Sequence, residues 1–267
     1  PFAANRRVQF TPDGPVDRRV PVLRVDAPNG LRAIVFGYAC HNTTLQPDFV
    51  EFHGDYAGVA QAALETRHPG ATALFLAGCG ADANPAPRGT RALVDRHGEA
   101  LADAVDRALG ACSPVAGRLR AAFDEVDLPF APFPGLDGWR ARLKDENVYV
   151  RRHAQMMIDV LSTGRRLPRA QPNPVQVWRF GSDLTLVTLG GEVVVDYVLR
   201  LTREHRGRLW VAGYSNDVFG YVPSRRVLEE GGYEGGGAMI YYGRPGPFDA
   251  TVEERIISAV ARLVRKG

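Results

Sequence analysis

Three stretches of this sequence place polar side chains just beyond short apolar runs, where a metal could be held or a carbonyl polarised. Tyr38-Ala39-Cys40-His41-Asn42-Thr43-Thr44 is the first. His41 reads either as a zinc ligand or as a core histidine satisfied by a backbone hydrogen bond. Downstream, Asp55 at an expected helix start reads as an N-cap or as a partner for a ligating histidine. Leu189-Gly190-Gly191-Glu192 is the second, with two glycines allowing a tight turn that presents a carboxylate from the start of a helix. Glu192 is a candidate ligand or an ordinary acidic residue stabilised by the helix dipole. The third runs from Ala212 to Ser224 and on through Glu230 to Gly236, a long loop that sets Tyr221 rigidly before Val222-Pro223. It reads as a functional loop or as a packed Ω-loop.

The elements that must position these groups follow from periodicity. Val20 to Val25 and Arg32 to Tyr38 read as strands joined by the turn Asp26-Ala27-Pro28-Asn29-Gly30. Asp55 to Thr66 has helical spacing. Ala71 to Ala77 is a nearly continuous apolar run expected as a strand buried on both faces, ending at the glycine-rich turn Gly78-Cys79-Gly80. Arg91 to Leu109 reads as an amphipathic helix, Gly117 to Leu128 as a strand, and Trp139 to Leu161 as two helical segments. Arg165 to Pro174 is expected to be a linker or exposed loop. Val175 to Phe180 and Leu184 to Leu189 form an expected hairpin. A helix over Glu192 to Thr202, a strand over Leu209 to Gly213 and a closing helix over Glu253 to Val264 complete the chain. Strands alternating with helices predict an α/β fold, a mixed β-sheet core with flanking helices.

Bulk composition narrows the classes. With 267 residues, 45% hydrophobic and 24% charged, the chain has the usage of a globular protein with a sizeable core. Its net charge of +3 is scattered, so no nucleic-acid partner is expected. No apolar run reaches the roughly 20 residues needed to span a bilayer. Cys40, Cys79 and Cys112 form no CxxC pair and read as small buried residues.

Taken in order, His-x-Thr, Gly-Asp, Gly-Gly-Glu, Gly-x-Ser-Asn-Asp, Tyr-Val and Gly-Tyr-Glu-Gly resemble the neutral, non-lysosomal ceramidases and their shorter bacterial relatives. The resemblance runs from about Phe2 to the C-terminal helix and is most specific over Ala212 to Gly235. It implies a ceramidase-like catalytic domain over residues 1–267, without the C-terminal β-sandwich of the larger members. It also implies a catalytic zinc bound by two histidines, a glutamate and a tyrosine. His41, Glu192 and Tyr221 match as metal ligands, with Tyr221 also placed to stabilise an oxyanion. Tyr214 precedes the Ser-Asn box and is the less favoured phenol.

Two departures accompany the match. The family's first zinc histidine lies in a Thr-His-Ser-Gly-Pro-like motif absent here, so an N-terminal segment, or another chain, is expected to complete the site. His53 and His97 are weaker substitutes. The family's serine position corresponds to Ala83, leaving Asp82 and Asn84 to orient substrate or water, or simply to form the turn. The expected activity is zinc-dependent hydrolysis of an amide bond, in ceramide or another N-acyl compound, by metal-activated water. The expected partner is a small-molecule or lipid amide, with peripheral membrane contact and a secreted or periplasmic setting implied by the resemblance. The alternative is a ceramidase-like ligand-binding module without chemistry. A serine hydrolase is disfavoured, since there is no GxSxG elbow.

Overall fold

The computed structural model describes residues 2–10 and 13–266. In chain order the elements are β1 (Ala3–Asn5), β2 (Val22–Ala27), β3 (Gly30–Tyr38), α1 (Asp55–Arg67), β4 (Thr72–Ala77), β5 (Ala83–Pro85), α2 (Arg91–Leu109) and β6 (Leu119–Pro129). They continue with α3 (Leu136–Arg142), α4 (Val148–Ser162), β7 (Ala170–Phe180), β8 (Leu184–Leu189), β9 (Glu192–Val193) and α5 (Val195–Glu204). Last come β10 (Leu209–Ala212), β11 (Tyr221–Val222), α6 (Arg225–Glu230) and α7 (Val252–Lys266).

The expected α/β mixture is present, but its strands are divided among several sheets. In the first, β3 lies between antiparallel β2 and parallel β4. Alternation sends Ile34, Phe36, Tyr38 and Ala73 to one face, where they share a core with α1 and α2. Helix α2 meets them with Leu101, Ala102, Val105 and Leu109, a stripe at helical spacing, and the Thr90 side chain caps its start by accepting from Leu93 N–H. Strand β4 is not buried on both faces: it is an edge strand, and Leu74 is 48% exposed.

The second sheet has the order β10-β8-β7-β6, with β10 parallel to β8 and the other pairs antiparallel. Helices α5 and α7 supply Val198, Leu201, Ile256, Val260 and Leu263 to the larger core against it. Trp139 and Met157 centre a small satellite core between α3 and α4. The two sheets touch where β4 and β10 end, with Gly213 N–H donating to the Ala77 carbonyl at 3.0 Å.

Three further expectations change. Ala170 to Pro174 belongs to β7 rather than to a linker. Strand β8 reaches only Val175, so Pro172 and Pro174 need no N–H on that side. The helix expected from Glu192 begins at Val195. Cys112 is exposed, whereas Cys40 and Cys79 are buried.

The start of α5 is set from outside the helix. Its Val195 N–H donates to Asp82 Oδ1 at 2.9 Å, while Asn5 Nδ2 donates to Oδ2 at 3.3 Å. Asp82 is 0% exposed and ties β1, the turn after β4 and α5 together. Burial raises its pKa to about 6 from 3.8, outweighing the bond from Val195. The folded state therefore holds this proton more tightly than the unfolded chain, and the contribution to stability falls as pH rises from about 4 to about 6. Asp82→Asn keeps an acceptor for Val195 and removes the titration. Relative to the unaltered protein, the variant should gain on the order of 2–3 kcal/mol across that window in urea melts at stepped pH. Parallel curves would refute the assignment.

Candidate metal centre

The candidate residues leave the carboxyl ends of strands: His41 beyond β3, Glu192 beyond β8, and Tyr214 beyond β10. That end of an α/β sheet is where ligands commonly bind. The first approach depends on Gly80, since a Cβ there would lie 2.3 Å from Cys40 N. With the turn packed this closely, Ala83 carbonyl accepts both His41 N–H (3.0 Å) and His41 Nδ1–H (3.1 Å). The second approach uses Gly191, whose φ of +76° is left-handed. It allows β9 to pair in parallel with β11, with Glu192 opposite Tyr221. That pairing sets carboxylate and phenol side by side.

The three side chains named from the sequence are brought together. His41 Nε2 lies 3.1 Å from Glu192 Oε2 and 3.3 Å from the Tyr221 hydroxyl. Tyr214, the less favoured phenol, joins them: its hydroxyl donates to Glu192 Oε2 at 3.2 Å and stands 3.4 Å from His41 Nε2. Its backbone has a φ of +53°, an outlier for a bulky residue and a form of strain that clusters at functional sites. At the other carboxylate oxygen, the Tyr242 hydroxyl donates to Glu192 Oε1. Burial pushes Glu192 up, but its contacts with His41 and Tyr242 hold its pKa below the ordinary value. Burial lifts Tyr221 well above the usual phenol range, and Glu192 adds to this against the opposing Arg6.

Among the described residues, no group of three or more His, Cys, Asp or Glu side chains could hold a metal. Three donors are reached only by counting a phenol. The donor chemistry nevertheless suits a cation. A carbonyl only accepts, so the bond to Ala83 fixes the proton of a neutral imidazole on Nδ1. Nε2 then presents a lone pair to Glu192 Oε2, and two acceptors 3.1 Å apart call for a proton or a cation between them. Donors around a tetrahedral zinc at about 2.0–2.1 Å stand roughly 3.3–3.4 Å from one another, close to the spacings here.

Arg6, which nothing in the sequence singled out, donates from Nη2 to the Tyr221 hydroxyl at 3.0 Å. Glu234 accepts from Arg6 Nε at 2.5 Å and from Arg7 Nη1 at 2.7 Å, so the glycine-rich loop holds the N-terminal strand in register with the cluster.

Other candidates lie elsewhere. The carboxyl of Asp82 faces Asn5 and Val195, not the cluster, and serves as the external cap already described. The side chain of Ala83 is buried in the first core. Asn84 is half-buried beside it, accepting from Thr43 Oγ1 at 3.4 Å. Asp55 lies in the first turn of α1 and accepts from Leu45 N–H (3.0 Å) and Tyr56 N–H (2.7 Å), with no described bond to His41. His97 Nε2 donates to the Pro87 carbonyl at 2.7 Å, and His53 Nδ1 accepts from Asp55 N–H at 2.9 Å. Neither has a described contact with His41, Glu192 or Tyr221. A cleft of about 990 Å³ between β2, the end of α2 and β10 is lined by none of the cluster residues.

No family model and no curated protein matches the chain. Solved structures do. The chain is similar to neutral ceramidase from Pseudomonas aeruginosa at 19% identity and a TM-score of 0.65, over 98% of this chain and 51% of that one. A structure described as ceramidase complexed with C2 matches at 16% identity and a TM-score of 0.66, over 98% and 52% of the two chains. The chain thus spans about half the length of these structures, and over that half it has a ceramidase-like α/β fold.

Proposed function

We propose that this chain is a catalytic domain that hydrolyses an amide C–N bond, in ceramide or another N-acyl compound, with zinc as its cofactor. The observation that carries the reading is the convergence of Glu192 Oε2, at 3.1 Å, and the Tyr221 hydroxyl, at 3.3 Å, on His41 Nε2, from three distant parts of the chain. These three would hold the metal, with Tyr214 as an additional phenol at the same point. When bound there, zinc supplies a water acidified to a pKa of about 7 and polarises the amide carbonyl. The ceramidase-like fold supports the substrate class.

The chain's own residues supply the rest. The Ala83 carbonyl holds the imidazole in the tautomer that leaves Nε2 as a donor atom. Arg6 holds the Tyr221 oxygen and adds positive charge beside the point where a carbonyl oxygen would gain negative charge. Glu234 keeps that guanidinium aimed. Asn84 offers an amide to orient substrate or water. This mechanism needs no residue acting as a covalent nucleophile. A lipid amide as substrate would also bring peripheral contact with a membrane, although no helix among the described residues is long and apolar enough to cross one.

The purified protein should carry about one zinc, and chelation should abolish amide hydrolysis. Glu192→Ala should lose both metal and turnover, read by elemental analysis and by release of free amine. A ligand-binding module would instead keep its ligand affinity in the same variant, and a metal-free active protein would end the zinc reading. Arg6→Met should cut turnover by about 10²-fold while changing zinc affinity by no more than a few-fold, the behaviour of a group acting on developing charge.

A further inference from the structure

Glu192 has two oxygens, and they have different neighbours. Oε2 faces His41 Nε2 at 3.1 Å and accepts from Tyr214 at 3.2 Å. Oε1 accepts from Tyr242, whose hydroxyl has no described bond to His41, Tyr214 or Tyr221. The phenol of Tyr242 thus engages the carboxylate oxygen that His41 does not, and its ring meets that of Tyr221 edge-on at 6.2 Å.

The chain invests several contacts in holding it there. After the 3₁₀ turn Gly237–Ile240, Tyr242 N–H donates to the Met239 carbonyl at 3.2 Å. Two residues on, Arg244 Nε donates to the Phe219 carbonyl at 3.0 Å, which anchors the segment to the loop that carries Tyr221. From the other side, His153 Nε2 in α4 donates to the Arg244 carbonyl at 2.7 Å.

We propose that Tyr242 is a positioning residue that occupies Oε1 of Glu192 and so presents the carboxylate to a metal through Oε2 alone. The proposal rests on the zinc reading above. A carboxylate free at both oxygens can chelate one ion with both. One oxygen pinned by a phenol gives a single bond in a fixed direction and leaves the remaining coordination position for water. Tyr242 acts through Glu192 and need not touch substrate.

Tyr242→Phe tests this without turnover. Zinc affinity should fall by about 10–100-fold, the usual effect of removing a hydrogen-bonding partner of a ligand. In the cobalt-substituted protein the visible d–d bands should lose intensity, as a carboxylate now bound through both oxygens raises the coordination number. Tyr241→Phe, one residue earlier on a ring that packs at 5.2 Å on Tyr149, should change neither measurement. Far-UV circular dichroism of the metal-free variants controls for folding. If Tyr242→Phe binds zinc and cobalt as the unaltered protein does, the positioning role is overturned and the metal centre stands. If the unaltered protein binds neither ion, both readings fall together.

Discussion

The whole arrangement depends on a pairing only two residues long. Where β9 runs beside β11, Glu192 stands opposite Tyr221 and Val193 opposite Val222. In a parallel ladder, residues in register project to the same side, so this contact alone puts a carboxylate and a phenol together. A slip of one residue would send one of them into the core. Such a short ladder contributes little stability by itself. Its register is imposed from outside, by left-handed Gly191 on one side and by Val193, Val222 and Phe219 in the large core on the other.

The same logic explains the charged residues near the start of the chain. Arg7 is buried, with Glu230 at 2.9 Å and Glu234 at 2.7 Å, and Arg6 shares Glu234 while reaching Tyr221. A buried ion network of this kind is weak evidence for stability, because desolvation offsets much of the attraction. Its value here is geometric. Breaking one member strands another in a low-dielectric site, so the strand β1 and the loop around Glu234 are held to one relative placement.

Much of this was legible in the sequence, and the reasons differ by residue. The long strands and helices announce themselves through period, and His41 and Glu192 stand out as polar groups at strand ends. Tyr221 was legible from the ordered motifs around it. Pairings of two or three residues, β1 with β5 and β9 with β11, are too short to carry a period, so Arg6 had no visible reason to approach Tyr221. Tyr242 follows a glycine-rich stretch with no helical or strand pattern, and its partner lies 50 residues away. Pro172 and Pro174 argued for a loop because the sequence does not reveal which edge of a strand is left open. The start of α5 is not legible locally, because its cap comes from Asp82, 113 residues earlier, and not from the residue before the helix.

The hydrogen bond that orients the His41 ring ends on a main-chain carbonyl, and this has a consequence for how the site can change over time. Every amino acid at position 83 brings the same carbonyl, so the basicity of the imidazole is insulated from mutation there. Selection acting on that bond leaves no mark in residue identity at 83. It acts instead through the backbone path, and thus on the glycine at position 80 that lets the turn lie so near Cys40. Relatives sharing this device would be expected to agree at the second position and to carry at the first whatever side chain the core around it admits.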